Sequence, residues 1–429
     1  MAPEPKTLAQ IAAELAGYDP QALRADAVLD FLARMVTPVA ETETVGVFQA
    51  LGRVLAEDVI SPISVPPHDN SAMDGFALPG AALQGTQPST WRVAGTAYAG
   101  AAWSGPLQAG ECVKIMTGAI MPPGCDTVVP VELAQVNGEQ VTLPAGVVQP
   151  GDNRRLLGED LMQGQPALAA GERLGPAALG LIASLGLPGV RVYRRLRVAY
   201  FSTGDEILSL GQAPREGAVY DSNRYTVFGL LSRMGIEVID LGVVADEPQA
   251  LEAAFRSAAE QADAIITSGG VSMGEADHTK AMMRQLGDVA FWRIAMRPGR
   301  PMAVGRITQG GRSAVLFGLP GNPVAVMVTF LAFVRPTLWR MAGARPAAPV
   351  YQRAHSTEAL RKKPGRTEYQ RGIVGVASDG RLQVRTTGNQ GSGVLRSMVE
   401  ANGLIVLHHD QGDVAVGDLV DVLMFDGLI

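Results

Sequence analysis

The sequence predicts a multidomain protein of α/β and β architecture, with a central doubly wound, mostly parallel α/β domain, β-rich N-terminal domains and a small C-terminal β barrel. Three observations support this prediction. The 429 residues exceed what one ordinary core accommodates. The first half of the chain is dense in Gly, Pro and short valine-rich runs. From residue 196, apolar runs alternate with segments of helical length.

Changes in composition divide the chain. After a helical opening that ends at Met35, runs such as "ECVKIM" and "DTVVPVEL" predict β-rich structure. The segment "GARPAAPV" at 343–350 is typical of a linker, and "GIVGV", "RLQVRT", "GLIVLH" and "DLVDVLMF" beyond it predict a small barrel or sandwich. We expect five parts, namely an N-terminal extension (1–26), a β-rich elongated domain (27–60 and 152–195), an inserted β domain (61–151), the α/β domain (196–345) and the C-terminal barrel (346–429).

The α/β domain is predicted element by element. Strand "LRVAYFS" precedes a helix over 223–234, strand "IEVIDLGVV" a helix over 249–261, and strand "DAIITSG" a helix over 277–286. The runs "VAFWRIAM" and "SAVLFGL" add two strands, and a helix over 323–341 closes the domain. Strands that alternate with helices of this length are typical of a parallel sheet covered on both faces.

One apolar segment resembles a membrane span. Residues 314–334 carry no charge and are long enough to cross a bilayer. The sequence "PGNP" interrupts them at 320–323, and prolines and glycine break a helix in its interior. The segment therefore predicts a buried strand, a turn and a buried helix.

Composition and charge exclude several classes of protein. Hydrophobic residues at 47% and charged residues at 18% indicate a globular chain. A net charge of −6 argues against broad binding to nucleic acid or anionic membranes, so we expect neither as a partner. The two cysteines, Cys112 and Cys125, form no CxxC motif and are too few for a zinc cage, so we expect both to be reduced. The N-terminus lacks a basic region followed by an unbroken apolar stretch, which predicts a cytoplasmic protein.

Polar residues follow the predicted parallel strands, at the edge where open α/β sheets bind ligands. Glycines there allow close backbone approach, and free N–H groups at the next helix favour an anion such as phosphate. The residues concerned are Thr203, Asp205, Glu206, Asp246, Ser268, Gly269, Gly270, Ser272, Gly274 and Asp277. Carboxylates beside a phosphate favour Mg²⁺ as the bridge, with Asp205, Glu206, Asp246 and Asp277 as candidate ligands. Capping of the next helix is an equally good explanation for Asp277, and surface solvation explains any single carboxylate.

Arginines provide the opposite charge in "WRIAMRPGRP". If its first part is a strand, Arg293 and Arg297 point to the same face and, with Arg300 nearby, could clamp an oxyanion. A solvated edge is the alternative. The sequence has neither GxGxxG at the first helix nor GxxxxGK[ST], so dinucleotide-binding and P-loop sites are disfavoured. The residues alone thus predict a Mg²⁺-assisted site for a phosphorylated small molecule, without the reaction.

A series of motifs runs in order from about residue 27 to the C-terminus. They are "PPHDNSAMDGFA", "KIMTGA", "GDNRRLLGEDL", "FSTGDEI", "YDSNR", "TSGGVSMGEADHTK", "MRPGRP", "GLPGNPV", "KKPGRTEYQRG" and "GSGVLRSMVEANGLIVL". Together they resemble the molybdopterin molybdenumtransferase family, which includes MoeA-type proteins and the E domain of gephyrin. The sequence departs from the family pattern where Arg293, Arg297 and Arg300 replace lysines of many relatives, and where His68 and Phe76 replace other aromatic residues.

The resemblance implies a reaction: molybdenum from molybdate is inserted into adenylylated molybdopterin, AMP is lost, and Mg²⁺ assists. The sulfur ligands of molybdenum would come from the dithiolene of the substrate. The resemblance places Asp69 and Thr117 in the site from the β-rich region and Glu206, Asp246 and Asp277 from the α/β domain. A turn bonded to itself is the alternative for "PPHDNSAMDG", since Asp69, Asn70 and Ser71 favour local hydrogen bonds. It also suggests that Pro320 and Pro323 form a wall and that Ser392, Arg366 and Arg371 contact the ligand, although the prolines also suit a strand end and helix start.

The family resemblance implies partners as well. Relatives are homodimers, so Asp69 and Thr117 are expected to complete the site of the neighbouring subunit. Transient contact with molybdopterin adenylyltransferase and with downstream cofactor-maturation proteins is expected. Two alternatives remain, a non-catalytic scaffold like the receptor-anchoring domain of gephyrin and another nucleotide-linked enzyme, such as an adenylyltransferase of the same α/β superfamily.

Overall fold

The fold was established from a computed structural model, which describes residues 6–83, 85–271 and 278–429. Its architecture is that of a multidomain protein with mixed α/β sheets and a closed barrel near the C-terminus. The predicted fold class is therefore confirmed.

The first part of the chain is rich in short strands. Residues 75–143 form a six-stranded sheet with the order β7-β4-β6-β5-β9-β8. Two-residue strands β3 and β10 pair where the chain enters and leaves this sheet, and β1 pairs with β12 nearby. The elements are α1 (Leu8–Glu14), α2 (Ala25–Met35), β1 (Thr42–Gly46), β2 (Val59–Ile60), β3 (Asn70–Ser71), β4 (Gly75–Leu78), β5 (Ser89–Ala97), β6 (Glu111–Ile115), β7 (Thr127–Pro130), β8 (Gln135–Asn137), β9 (Gln140–Leu143), β10 (Arg154–Arg155), β11 (Pro166–Leu168), α3 (Pro176–Ser184) and β12 (Gly189–Tyr193).

Helix α2 packs against the α/β core rather than against the β-rich part that follows it. Val28, Phe31, Leu32 and Met35 recur at helical spacing and are buried in one cluster with Trp292. The Phe31 and Trp292 rings meet edge to face with centroids 4.9 Å apart. Residues 27–35 thus differ in packing from the β-rich domain to which the sequence assigned them. The boundaries themselves stay predictions.

The central sheet has the order β16-β13-β17-β21-β20-β18. Its first four strands are parallel, with α4 and α7 on one face and α5 and α6 on the other. The elements are β13 (Arg197–Thr203), β14 (Ile207–Leu208), β15 (Val219–Tyr220), α4 (Ser222–Arg233), β16 (Glu237–Val244), α5 (Pro248–Gln261), β17 (Ala264–Ser268), α6 (His278–Leu286), β18 (Gly287–Arg293), β19 (Met296–Arg297), β20 (Pro301–Gln309), β21 (Arg312–Leu319), α7 (Pro323–Thr329) and α8 (Arg335–Met341).

Two strands of this sheet run antiparallel. Strand β20, which the sequence did not predict, pairs with β18 and β21. Its hairpin with β21 turns at Gly310 and Gly311, whose φ values of +55° and +77° suit a two-residue hairpin turn. The predicted strand "VAFWRIAM" is also shorter than expected, because β18 ends at Arg293 and Met296 starts the separate strand β19.

The apolar segment forms the predicted strand, turn and helix. Strand β21 leads into a continuous helix of α7, a π-helical turn over Phe330–Val334, and α8. In the part of the chain that the structure describes, Pro323–Met341 is one helix that length and composition would allow to cross a membrane, but 72% of its most apolar stretch is buried within the fold. Its apolar surface contributes to the core of the α/β domain.

The C-terminal strands close into a barrel. Strand β23 pairs with both β24 and β25, and β22 and β26 complete the ring of five strands. Strand β19 of the preceding domain pairs with β23 of the barrel, with Met296 and Arg297 opposite Thr367 and Glu368. This junction places arginines beside the ligand edge of the central sheet. The elements are β22 (Gln352–Ser356), β23 (Thr367–Val376), β24 (Leu382–Thr386), α9 (Arg396–Glu400), β25 (Gly403–Leu407) and β26 (Leu419–Met424).

Candidate active site

A cavity of about 1250 Å³ opens at the carboxyl ends of the parallel strands, between the central sheet and the barrel. Segments following β13, β16, β17 and β21 form one side of it, as expected for an open α/β sheet. The residues around β19 and two loops of the barrel form the other side. The cavity is larger than most pockets for drug-sized ligands, so its volume can accommodate a larger ligand.

The structure brings most of the predicted site residues together. Three predicted residues, Ser272, Gly274 and Asp277, lie outside the described residues. Four others do not line the cavity: Asp69, Thr117, Arg293 and Arg371. Those that do are Asp205, Glu206, Asp246, Ser268, Gly269, Gly270, Arg297, Arg300, Pro320, Pro323, Arg366 and Ser392.

The glycines after β17 present bare backbone to the cavity. Gly269 and Gly270 have φ values of +90° and +64°, in the left-handed region that favours glycine. A Cβ on Gly269 would lie 2.4 Å from the carbonyl oxygen of Thr203, and one on Gly270 would lie 2.6 Å from the Cβ of Thr279. Both positions therefore require glycine, and they allow a ligand to approach the main chain.

Carboxylates occupy the sheet side of the cavity. Asp246 Oδ1 accepts a hydrogen bond of 3.2 Å from the hydroxyl of fully buried Thr279, which fixes one of its two oxygens. No basic side chain of the described ranges forms an ion pair with Asp205, Glu206 or Asp246. These hard oxygen donors suit Mg²⁺. Within 6–83, 85–271 and 278–429 no group of three metal-ligating side chains assembles.

Arginines occupy the barrel side. Arg297 and Arg300 are exposed to the cavity and form no ion pair with any described carboxylate. Arg366 lines the same wall and donates from Nε to Glu368 Oε1 at 2.8 Å. Cationic side chains without carboxylate partners indicate an anion-binding surface.

Arg371 lies buried behind the loop that carries Ser392. Its guanidinium donates to Ser397 Oγ at 3.0 Å and to the carbonyl oxygens of Gly391 and Asn389 at 3.0 and 3.4 Å. Burial lowers the pKa of Arg371 to about 10, and the charge of Arg297 adds to the effect. Arg371 therefore fixes the loop and adds positive potential behind it.

Arg293 is separated from Arg297 because the predicted strand does not continue between them. Its main-chain N–H donates to Pro20 and its carbonyl accepts from Leu23, which ties it to the N-terminal segment. The continuous strand that the same-face clamp assumed is therefore absent, and Arg293 does not line the cavity. Arg297 instead lies near Arg300 and Arg366 on the cavity wall.

Asp69 and Thr117 have hydrogen-bond partners within the N-terminal part. Asp69 Oδ1 accepts from the Leu157 N–H at 2.7 Å, and its other oxygen lies 3.5 Å from Arg154 Nη1. Thr117 donates from its N–H and hydroxyl to Asp74 Oδ1 at 2.7 and 2.6 Å, which lowers the pKa of Asp74. Within one subunit these side chains therefore do not contribute to the cavity wall.

Sequence reasoning missed Asp221 and Asn223, which line the cavity at the start of α4. Asp221 Oδ1 caps the helix by accepting from the Arg224 N–H at 3.1 Å, while its buried Oδ2 has no partner among the described residues. Asn223 donates to the carbonyl of Gly321 at 2.8 Å and so joins two loops of the site. The signal was present in "YDSNR", because an Asp directly before a helix at the ligand edge is typical of a cap that faces the site.

Family models match most of the chain. The MoeA N-terminal region (domain I and II) matches residues 23–186, the probable molybdopterin binding domain matches 199–340, and the MoeA C-terminal region (domain IV) matches 353–425. The crystal structure of the molybdopterin biosynthesis moeA protein from Pyrococcus horikoshii OT3 aligns with a TM-score of 0.80 at 24% identity, over 94% of this chain and all (100%) of that one. This likeness supports the fold.

Curated relatives are similar over nearly the same length. The molybdopterin molybdenumtransferase of Haemophilus influenzae is 41% identical over 91% of this chain and 95% of its own. The molybdopterin molybdenumtransferase of a Nostoc species is 36% identical over 90% of this chain and 88% of its own. The chain therefore belongs to the molybdopterin molybdenumtransferase family of enzymes.

Proposed function

We propose that the protein inserts molybdenum from molybdate into adenylylated molybdopterin, with release of AMP. The observation that carries this proposal is one large cavity with carboxylates on the sheet side and arginines on the barrel side. A phosphoanhydride with a bound cation suits the first side, and a dianionic oxyanion suits the second. The names of the relatives support the molybdenum transfer, and the adenylylated substrate is our inference.

The glycine loop is proposed to bind the phosphoanhydride. Ser268, Gly269 and Gly270 offer main-chain and hydroxyl donors at the end of β17, with Ser272 and Gly274 continuing the same sequence motif. Pro320 and Pro323 shape the adjacent wall after β21. The substrate would thus be held where two neighbouring parallel strands end.

Glu206, Asp246 and Asp277 are proposed to hold Mg²⁺ together with phosphate and water oxygens. The described donors fit the ion, because Asp246 keeps one oxygen uncommitted and Glu206 has no basic partner among the described side chains. The ion would neutralise the phosphoanhydride and polarise it. A carboxylate of this set would orient a water and accept its proton, as the water oxygen attacks the adenylyl phosphorus and the bond to the molybdopterin phosphate breaks, releasing AMP.

Arg297, Arg300 and Arg366 are proposed to hold molybdate. Their charges are arranged on one wall, and the Ser392 loop lies beside them over buried Arg371. Arginine can hold an oxyanion through two parallel N–H donors, which lysine cannot do. Arg293 is not part of this site. The dithiolene of the substrate would supply sulfur to molybdenum, since both cysteines are buried in the N-terminal part. As the two sulfur atoms bind, one oxide of molybdate would leave with the two thiol protons as water, and the oxidation state of molybdenum would not change.

We further propose a cytoplasmic homodimer in which Asp69 and Thr117 approach the cavity of the partner. Large apolar side chains are exposed on the β-rich part and on α4, including Phe48, Tyr225 and Phe228. Tyr225 and Phe228 lie three positions apart on α4, so they form one exposed aromatic surface that supports a contact at this helix. Transient transfer of substrate from molybdopterin adenylyltransferase, and of product to cofactor-maturation proteins, would follow from the chemistry.

The purified protein, incubated with adenylylated molybdopterin, molybdate and Mg²⁺, should release AMP and form the molybdenum cofactor. Release of AMP would be followed by chromatography, and cofactor by reconstitution of an apo-molybdoenzyme. Neither product at saturating substrates would favour a scaffold. If the protein catalysed only the reverse step, the transfer of adenylate to molybdopterin, this result would favour an adenylyltransferase.

A further inference from the structure

Arg366 is held against the cavity wall by a buried carboxylate of the barrel. Its Nε donates to Glu368 Oε1 at 2.8 Å, and Nη2 lies 2.7 Å from the same oxygen in an ion pair. The second oxygen, Oε2, accepts from Gln370 Nε2 at 3.2 Å. Glu368 is only 3% exposed, whereas the Arg366 side chain is 37% exposed, so the pair connects the barrel interior with the cavity.

The backbone of Glu368 is fixed as firmly as its side chain. It lies on β23 directly opposite Arg297 of β19, and it also pairs with Leu407 of β25. The same residue therefore stands next to one cavity arginine through the main chain and binds a second through its carboxylate. No other carboxylate of the described chain pairs with an arginine of the cavity wall.

The loop that carries Arg366 is anchored from its other end by Lys362. The Lys362 ammonium is buried and donates to the carbonyl oxygens of Lys363, His409 and Gln411 at 3.0, 3.3 and 2.9 Å. The position of Arg366 is therefore restricted by the anchored main chain that precedes it and by the Glu368 carboxylate.

We propose that Glu368 is a positioning residue, which orients Arg366 for binding the oxyanion in the cavity. This inference rests on the proposed function, because the oxyanion is molybdate there. A preformed arginine loses less side-chain entropy when it binds an anion than a mobile one. Because Nε and Nη2 face Glu368, the Nη1 donors stay available to a ligand.

A competing explanation is that Glu368 merely neutralises Arg366. Two substitutions separate the explanations, because Glu368→Asp keeps the charge and shortens the reach, whereas Glu368→Gln keeps the reach and removes the charge. Orientation predicts that the Asp variant binds molybdate more weakly, by about 3- to 10-fold, with a smaller loss for the Gln variant. If Glu368 only neutralises Arg366, the Glu368→Asp variant should bind molybdate as the native protein does, and the Glu368→Gln variant should bind it more tightly.

Binding of molybdate alone would be measured by titration calorimetry in the full-length protein. The same two substitutions would be repeated in an Arg366→Ala variant. If Glu368 acts through Arg366, substituting it there should not weaken molybdate binding further. Glu400→Asp, in the exposed Arg396–Glu400 pair of α9, is the matched control and should bind like the native protein. The proposal is overturned if the Glu368→Asp variant binds molybdate like the native protein. It is also overturned if Glu368→Asp weakens molybdate binding by the same factor in the Arg366→Ala background as in the native protein.

A second measurement needs no ligand. Exchange of the Arg366 Nε–H with water, followed by NMR, should be slow in the native protein and faster in the Glu368→Asp variant. Equal exchange in the two proteins would overturn the positioning role even if molybdate binds. Native protein that does not bind molybdate but shows the exchange difference would refute the proposed oxyanion and leave the positioning of Arg366 established. If the Asp variant does not fold, the near-isosteric Gln variant carries both measurements and must show the weaker binding and the faster exchange.

Discussion

The Arg194 guanidinium binds both oxygens of Asp263, with Nη1 and Nη2 at 2.7 and 2.8 Å. Arg194 directly follows β12 of the N-terminal part, and Asp263 directly precedes β17 of the central sheet. Asp263 Oδ2 also accepts from the Arg197 N–H at 2.8 Å. This carboxylate therefore joins the β-rich part to the edge from which the parallel strands start.

Replacing Asp263 by Ala should destabilise the protein, because Arg194 would keep a largely buried charge without this partner. The two side chains are 17% and 13% exposed, and Arg194 would keep its second partner, Glu41. We therefore expect a loss of about 1.5–3 kcal/mol in the free energy of unfolding, as for hydrogen bonds to a charged group. Urea unfolding of the transition that involves the central sheet would measure it. Glu400→Gln, in an exposed pair, should change stability by no more than about 0.5 kcal/mol.

Gly270→Ala should lower both stability and activity, because the new Cβ would collide with Thr279 at a positive φ. The strain is expected to cost about 1–3 kcal/mol. Gly229→Ala is the control, since Gly229 is an exposed position of α4 with no atom near the added Cβ. It should stabilise the protein by about 0.5–1 kcal/mol, as alanine is the better helix former. Equal melting temperatures for the two variants would contradict the close approach at Gly270.

The buried thiols should make the protein sensitive to alkali. Burial raises the pKa of Cys112 to about 12 and that of Cys125 to about 11. An unfolded thiol ionises near pH 8.5. The stability that comes from keeping the thiols neutral is therefore complete below that pH and is lost as pH rises towards the pKa values of the folded protein. At pH 10 the loss is about 2 kcal/mol per thiol. A Cys112→Ala/Cys125→Ala double variant should lose less stability between pH 8 and pH 10 than the native protein, and an equal loss would assign the effect to other groups.

The parallel part of the fold was predictable from sequence because each strand is an uninterrupted apolar run followed by a helix. The hairpin of β20 and β21 was missed, although Gly310 and Gly311 are a known two-residue turn signal. The predicted strand extended beyond the end of β18 because apolar residues continue to Met296, where a different sheet begins. Periodicity describes one strand at a time and does not indicate which sheet a residue joins.

Part of the cavity lining was predictable for the same reason. Residues at the ends of parallel strands converge by topology, so Glu206, Asp246 and Gly269 could be placed together from sequence. The roles of Glu368 and Arg371 could not, because they depend on the barrel docking against β19. Which of two arginines in one motif faces a cavity depends on tertiary packing.

Asp246→Asn should reduce Mg²⁺-dependent release of AMP by at least about 10-fold when Mg²⁺ is limiting. The amide keeps an oxygen that can accept from Thr279, so the loop should stay folded, but a neutral ligand binds a hard cation weakly. Steady-state AMP release at several Mg²⁺ concentrations, with Mg²⁺ affinity from calorimetry in the presence of substrate, would test both statements. Asp240→Asn, outside the cavity in the pair with Arg224, is the control. Native Mg²⁺ affinity in the Asp246 variant would remove this residue from the metal site.

In the proposed shared site, Asp69 of one subunit would complete the cavity of its partner. Asp69 is held by the Leu157 N–H and lies beside Arg154, and it does not line the cavity of its own subunit, whose wall includes Asp246. In a twofold dimer, mixing inactive Asp69→Ala and Asp246→Ala proteins would create heterodimers in which one cavity carries both lesions and the other carries neither. About half of the native activity per heterodimer should then return. Circular dichroism and mass measurement would first establish that each variant is folded and dimeric and that subunits have exchanged. If Asp69 acted within its own subunit, every cavity of the heterodimer would carry one lesion, and confirmed heterodimers would stay inactive.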